Sequence, residues 1–402
     1  MLDFTERKAD CTGCSACLAA CPVSCITMEA DDEGFLYPVM GDGCIGCGKC
    51  ERVCPIKNAR AETDPDGSGS DFKKRAFCGL TRDDKVWRRS ASGGAFSELC
   101  RAFGDDETLI CGAAWDGFSV KHTCVKGVNS IEKLCRSKYV ASSPENTFRE
   151  IERHLAGGGK AIFCGTPCQA AGLRAFLGRP YRELLIIDLI CHGVGSPAVF
   201  DACTKEIGRQ FGKTLTEYEF RAKRKVYETD HLTGLTFSDG SRIYATGDPY
   251  IQLFLSQTCL RPSCGKNCRF RTEHRQGDVT IADFKGLVEV FPELIGTKKN
   301  YSSIIINTPK GAELIPALQK QMRLTECGTD DIKRYNPLFY RQTVFSENRD
   351  LFFEEFRAAP DETVRKHTVP TKVKVQSLKG RLFQSLPTVL RKTIMNMMKG
   401  RK

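Results

Sequence analysis

Beyond residue 71, short apolar runs alternate with stretches in which apolar residues recur every three or four positions. An apolar run of four to eight residues reads as a strand, and a three-to-four spacing reads as one face of a helix. The runs "TLICGAAW" (108–115), "KAIFCG" (160–165), "LLIIDLI" (184–190), "DVTIAD" (278–283) and "SIIIN" (303–307) are predicted strands. The stretches "GAFSELCRAF" (94–103), "ENTFREIERHL" (145–155), "QAAGLRAFL" (169–177) and "PAVFDACTKEIG" (197–208) are predicted helices. In "TFSDGSRIYA" (236–245), Asp239-Gly240 supplies the turn of a hairpin. Such alternation predicts an α+β fold with α/β character. The pattern does not order the strands.

The first sixty residues follow a different rule. "CTGCSACLAACP" (11–22) and "CIGCGKCERVCP" (44–55) share the spacing C-x2-C-x2-C-x3-C-P. Three thiolates at two-residue spacing let one tight loop wrap three corners of an iron–sulfur cube, and the fourth cysteine, expected to open the following helix, serves the other cube. Cys11, Cys14, Cys17 and Cys54 are therefore assigned to one 4Fe-4S cluster, and Cys44, Cys47, Cys50 and Cys21 to a second. Zinc sites are built from separated C-x2-C pairs, not from a triplet with C-P repeated in register. Cys25 lies outside the pattern and reads as a small buried residue. Residues 1–60 resemble a bacterial two-cluster ferredoxin, and "RAETDPDGSGSD" (60–71) reads as a flexible connector.

Composition narrows the alternatives. A chain of 402 residues has room for two or three domains. Its longest apolar stretch, "LLIIDLI", is far too short to span a bilayer, and "MLDFTERKAD" lacks a secretory pattern, so a cytoplasmic location is expected. In that compartment the 22 cysteines suit metal ligands better than disulfides. The net charge of +11 is concentrated at the end, where residues 371–402 carry nine Lys or Arg and no acid. The main body therefore offers no basic patch for nucleic acid. The tail reads as partly disordered, with an amphipathic helix on an anionic membrane surface or an acidic partner as the second reading. No Ser/His/Asp triad, paired-carboxylate signature or Walker loop points to hydrolysis or phosphoryl transfer.

Two small-residue turns precede helices: Ser92, Gly93 and Gly94 in "SASGGAF", and Gly165, Thr166 and Pro167 in "FCGTPCQ". Free N–H groups at a helix start suit a phosphate, and close helix packing explains S-G-G equally well. Cys78, Cys100, Cys111, Cys124, Cys135, Cys203 and Cys327 read as lone core residues. Cys264 and Cys268 in "QTCLRPSCGKNCRF" read as a metal loop, Cys191 follows a strand, and Cys168 opens a helix after another. Four such thiolates suit a third cube.

"SASGGAF", "SKYVASS", "IFCGTPCQAAGL", "DLICHGVGSP", "CLRPSCGKNCRF" and "DVTIADFKG" occur in this order, and residues 77–345 thereby resemble the coenzyme F-420 hydrogenase/dehydrogenase beta-subunit family. The resemblance implies an iron–sulfur flavoprotein oxidoreductase. FAD would be held by Ser92, Gly93, Gly94, Gly165, Thr166 and Pro167, with Gln169 and Asp283 added by motif position. Cys168, Cys191, Cys264 and Cys268 would hold the third 4Fe-4S cluster, with Cys259 in reserve because the loop reads C-x3-C where the family pattern has C-x2-C. Lys285 stands where the family pattern has an aromatic. Lys138 would place a cation near flavin or substrate, the alternative being a solvated lysine. His192 would relay a proton or support Cys191, the alternative being a structural histidine. A redox partner protein or reduced ferredoxin would supply electrons to a two-electron acceptor, coenzyme F-420 (a deazaflavin) or another substrate; the alternative is a non-catalytic electron-transfer subunit. The expected plan is a ferredoxin domain (1–60), a linker (61–75), the larger domain in two parts (76–180 and 181–350) and a basic tail (351–402).

Overall fold

The computed structural model describes residues 8–58, 72–224, 232–266, 268–294, 297 and 299–373. The N-terminal module is built on a hairpin, β1 (Ile26–Ala30) and β2 (Leu36–Met40), with helices α1 (Ala16–Ala20) and α2 (Lys49–Arg52) beside it. Each helix follows a residue in the left-handed region, Ser15 (φ 61) and Gly48 (φ 67), so each loop doubles back on itself. The expected helix openings are corrected here. Cys17 and Cys50 lie inside the helices, while Cys21 and Cys54 follow their ends, because the wrap around the first three cysteines runs into the helical turn.

The larger part holds strands β3 (Arg75–Thr81), β4 (Leu109–Asp116), β5 (Ser119–Lys126), β6 (Ala161–Cys164), β7 (Leu184–Leu189), β8 (Leu215–Ala222), β9 (Leu232–Phe237), β10 (Arg242–Thr246), β11 (Val279–Asp283), β12 (Ser302–Ile306), β13 (Met322–Cys327) and β14 (Lys372–Val373). The main sheet has the order β13-β3-β12-β11-β7-β6-β4-β5. Its centre, β11-β7-β6-β4, is parallel, and the remaining pairings are antiparallel. The continuous apolar run of β7 follows from this position, for a central parallel strand is covered on both faces. A second, antiparallel sheet has the order β14-β10-β9-β8. The result is a mixed α/β molecule with a small N-terminal domain. Among the described residues no helix is long and apolar enough to cross a membrane.

Helices α3 (Asp84–Arg88), α4 (Ala95–Phe103), α5 (Thr147–Ala156), α6 (Pro167–Leu177), α7 (Pro197–Phe211) and α8 (Pro249–Leu255) surround the sheets. Two of them receive the N-terminal module. Arg149 on α5 donates to the carbonyls of Ala19 (2.8 Å), Leu18 (3.2 Å) and Cys21 (2.6 Å), satisfying the open end of α1. A Cβ on Gly172 of α6 would stand 3.0 Å from Cys14 Sγ, so a larger residue here would press on the cysteine. The connector, residues 59–71, lies outside the described residues, yet the module it joins is seated firmly on the body.

Two expectations change. Residues 351–367, assigned to the tail, belong to helices Arg349–Ala358 and Pro360–His367, with Phe352, Phe353, Phe356 and Val364 buried. Arg349 forms a buried ion pair with Glu33 of the β1–β2 turn, its Nη1 3.1 Å from Oε1. The amphipathic-tail expectation for residues 374–402 lies outside the described residues. Cys111 and Cys124 are not lone core residues: they face each other across β4 and β5 and form a disulfide.

His122 on β5 is buried and stacks on Phe163 at 5.4 Å, and burial pushes its pKa down to about 4. The unfolded chain takes up a proton near pH 6.5 that the folded chain refuses, so stability falls as pH drops from 6.5 towards 4. His122→Phe keeps the stack and removes the titration. Urea unfolding at pH 7 and pH 4.5 is expected to show a smaller acid loss in this variant, by on the order of 2–3 kcal/mol. Parallel losses in the two proteins would refute the assignment.

Candidate functional site

Cys11, Cys14, Cys17 and Cys54 line one pocket, together with Met28, Pro38 and Ile56. Three come from the first run and one from the second, the crossed grouping that the spacing predicts. In the other set Cys50 lies beside Cys44. Cys21 Sγ stands 3.5 Å from Cys25 Sγ, which in turn neighbours Cys44. Cys25 is thus not a buried filler; it is part-exposed and set against two thiols of the second set. The sets differ in exposure. Cys11, Cys14 and Cys54 are buried, whereas Cys44 and Cys47 are exposed beside Ile45, whose exposure is 63%. The second set is the outer one and the first the inner one.

A cavity of about 260 Å³ brings together Cys168, Cys191, Cys264 and Cys268. Fold topology explains the convergence. Cys168 follows β6 and Cys191 follows β7, so both stand at the carboxyl edge of adjacent parallel strands, where sites in such sheets gather, and the long loop before β11 brings Cys264 and Cys268 to the same cavity. Cys259 is fully buried in the core and does not line the cavity. Cys168 neighbours Cys191 and Cys268, and also Cys14 of the inner set. Burial pushes its thiol up to about 12, and burial likewise raises that of Cys191. Among the described residues no three or more His, Cys, Asp or Glu are gathered as for a single metal ion. The four thiols share the lining of this one cavity.

Charge fits a cluster as well. Arg261, Arg271 and Arg275 line the same cavity and are 2%, 6% and 1% exposed. Arg275 pairs with buried Asp188 at 3.4 Å, while Arg271 donates to the carbonyls of His192 (2.6 Å) and Arg341 (3.1 Å). Arg261 and Arg271 have no carboxylate partner among the described residues. Buried cations demand a counter-charge, and a cube held by four thiolates is an anion. Sequence reasoning missed these arginines. Their signal was present in "CLRPSCGKNCRFRTEHR", where Arg261 lies between Cys259 and Cys264, and Arg271 and Arg275 follow Cys268.

The flavin candidates do not share one pocket. Thr166, Pro167 and Gln169 line the four-thiol cavity. Gln169 Oε1 accepts from Thr166 N at 3.0 Å and its amide donates to Ser142 O at 3.0 Å, so this side chain caps α6 and ties down a loop. Gly165 abuts Phe163, and a Cβ there would lie 2.8 Å from that ring. Ser92–Gly94 sit against β3 and β12. Ser92 Oγ donates to Tyr301 O, and Gly93 N donates to Ser302 Oγ at 2.9 Å. Lys223 clamps this loop by donating to Trp87 O (2.8 Å) and Ser92 O (2.9 Å). Asp283 forms a two-pronged pair with Arg221 at 2.6 and 2.9 Å. Lys138 is half-buried; it donates to Lys133 O (3.1 Å) and Cys135 O (2.7 Å), and desolvation lowers its pKa to about 8. His192 packs on Phe254 at 4.9 Å, its pKa lowered by burial and by Arg271.

Residues 10–60 match the family model described as "4Fe-4S dicluster domain". Residues 158–331 match the model for the C terminus of "Coenzyme F420 hydrogenase/dehydrogenase, beta subunit". The chain has a coenzyme F420 hydrogenase/dehydrogenase beta-subunit-like architecture with a dicluster domain fused in front. The second match contains four of the six motifs and all four cavity cysteines; "SASGGAF" and "SKYVASS" precede it. The dicluster match makes this an iron–sulfur electron-transfer protein. Among curated proteins no similar sequence is found. Among solved structures the chain is similar to one from the F420-reducing [NiFe] hydrogenase complex of Methanosarcina barkeri, solved as a xenon derivative. The identity is 14%, the TM-score 0.41, and the match covers 76% of this chain and 93% of that one.

Proposed function

We propose that this chain is an oxidoreductase subunit with three 4Fe-4S sites, carrying electrons inward from the exposed cysteine set, past the buried one, to the four-thiol cavity. From there they reach a two-electron acceptor, coenzyme F-420 or another carrier, at the carboxyl edge of the sheet. The observation that carries this reading is the place of Cys168, beside Cys191 and Cys268 on one side and Cys14 on the other. When bound, the clusters supply single-electron steps, and FAD, which this reading includes, joins them into two-electron transfer. The chain's own part is to hold and space the thiolates. α6 presents Cys168 at its start while Gly172 packs on Cys14, so one rigid helix sets the distance between two sites. Arg261, Arg271 and Arg275 neutralise the cavity.

A second reading, a non-catalytic electron-transfer subunit without flavin, is favoured by the internal bonding of Ser92, Gly93 and Asp283. Anaerobic purification with iron, sulfide and flavin analysis separates the two. About twelve irons and one flavin per chain are expected, and Cys168→Ala is expected to lower iron to about eight. About twelve irons without flavin, after incubation with FAD, would establish the second reading. About eight irons in the wild type would refute the third site.

A further inference from the structure

Arg261 is 2% exposed and belongs to the body, yet its guanidinium ends in the N-terminal module. Nε donates to Cys11 O at 2.8 Å, and Nη2 donates to Leu36 O at 2.9 Å and stands 3.8 Å from Cys11 Sγ. The rings of Tyr37 and Phe35 lie 4.3 and 5.4 Å from it. Gly13 makes room: a Cβ there would lie 2.9 Å from Nη1. Arg261 also lines the four-thiol cavity and precedes Cys264 by one short turn. It therefore stands between the inner set and the third, a cation with no carboxylate partner among the described residues. The outer set has a different arginine. Arg52 donates to Cys47 O at 3.1 Å, but it is exposed, and water screens its charge.

We propose that Arg261 orders the reduction potentials of the two N-terminal clusters, holding the inner one above the outer one so that an electron arriving at the surface moves inward. The proposal rests on the assignment of Cys11, Cys14, Cys17 and Cys54 to one 4Fe-4S cluster. Reduction adds a negative charge to that cluster. A fixed cation in a water-poor site stabilises the added charge far more than an exposed one does, and a donor aimed at a ligand sulfur acts in the same direction. The same side chain joins body to module, so the ordering arises only when the module is docked.

The test is an EPR-monitored redox titration of the full chain, purified anaerobically, as wild type, Arg261→Gln, Arg261→Lys and Arg52→Gln. Arg261→Gln is expected to lower the midpoint potential of one N-terminal cluster by about 59 mV, a tenfold change in a one-electron equilibrium, and to leave the other in place. Arg261→Lys is expected to recover at least half of the shift, and Arg52→Gln to move neither cluster by more than about twofold in that equilibrium. Unchanged potentials in Arg261→Gln would overturn the proposal, and so would an equal shift in Arg261→Lys, which would make fit and not charge the cause. If Arg261→Gln loses iron, Arg261→Met, which keeps the stem against Tyr37 and Phe35, takes its place. Retention of iron by Arg261→Lys alone then supports the charge role, and its loss from all three variants overturns it. A wild-type chain with fewer than two N-terminal clusters would refute the cysteine assignment itself, an outcome read before any arginine variant is compared.

Discussion

Changing Cys54 to alanine will remove the cluster of the first cysteine run and spare that of the second. The residue lies in the second run, but its thiol shares a pocket with Cys11, Cys14 and Cys17. Cys21, from the first run, sits with Cys25 and Cys44 at the other end of the module. Two pairs of variants should therefore be spectroscopic twins. Cys54→Ala and Cys11→Ala lose about four irons each and leave the same EPR signal, that of the outer cluster. Cys21→Ala and Cys44→Ala are expected to leave the other. A Cys54→Ala spectrum matching that of Cys44→Ala would mean that each run holds its own cluster, and the inward route proposed above would lose its inner station.

Gly93→Ala will destabilise the chain by at least about 3 kcal/mol, the upper range for a small-to-large change in a packed site. A Cβ at this position would lie 2.2 Å from Gly79 O, 2.5 Å from Ser302 N and 3.0 Å from Tyr301 C. All three are backbone atoms of neighbouring strands or their ends, and none can swing aside as a side chain does. Ser92→Ala removes one hydrogen bond to Tyr301 O and is expected to cost about 1 kcal/mol. Urea unfolding of both variants measures the two losses. A Gly93→Ala chain as stable as the wild type but unable to retain flavin would reverse the conclusion, making this glycine a cofactor residue and not a packing one.

The legible parts of this molecule were those with a local cause. The runs at 108–115, 160–165, 184–190, 278–283 and 303–307 are strands because strands buried on both faces need continuous apolar sequence, and that need is visible without a partner. The Asp239-Gly240 hairpin was equally local, with Gly240 at φ 78. β3 was not anticipated. Its sequence, "RAFCGLT", opens on an arginine and carries a glycine, and only pairing between β12 and β13 defines it. The four cavity cysteines were chosen by motif, but their convergence depends on strand order, which no run of residues encodes. The arginines were harder still, since a guanidinium reads as surface until the fold surrounds it. Phe352, Phe353 and Phe356 shared the three-to-four spacing of a buried helix, yet the charges around them hid it within an apparent tail.

The pairing of Glu33 with Arg349 bears on how the molecule is assembled in time. The partners are 316 residues apart, so this last fastening of the N-terminal module follows those made by Arg149 and Arg261 and waits until nearly all the described chain has been synthesised. Once the body has closed on the module, Cys11, Cys14 and Cys54 are buried while Cys44 and Cys47 stay exposed. On the proposed assignment, a chain that closed before its inner cluster was in place would have to reopen to receive it, whereas Cys44 and Cys47 of the outer set stay exposed on the closed molecule.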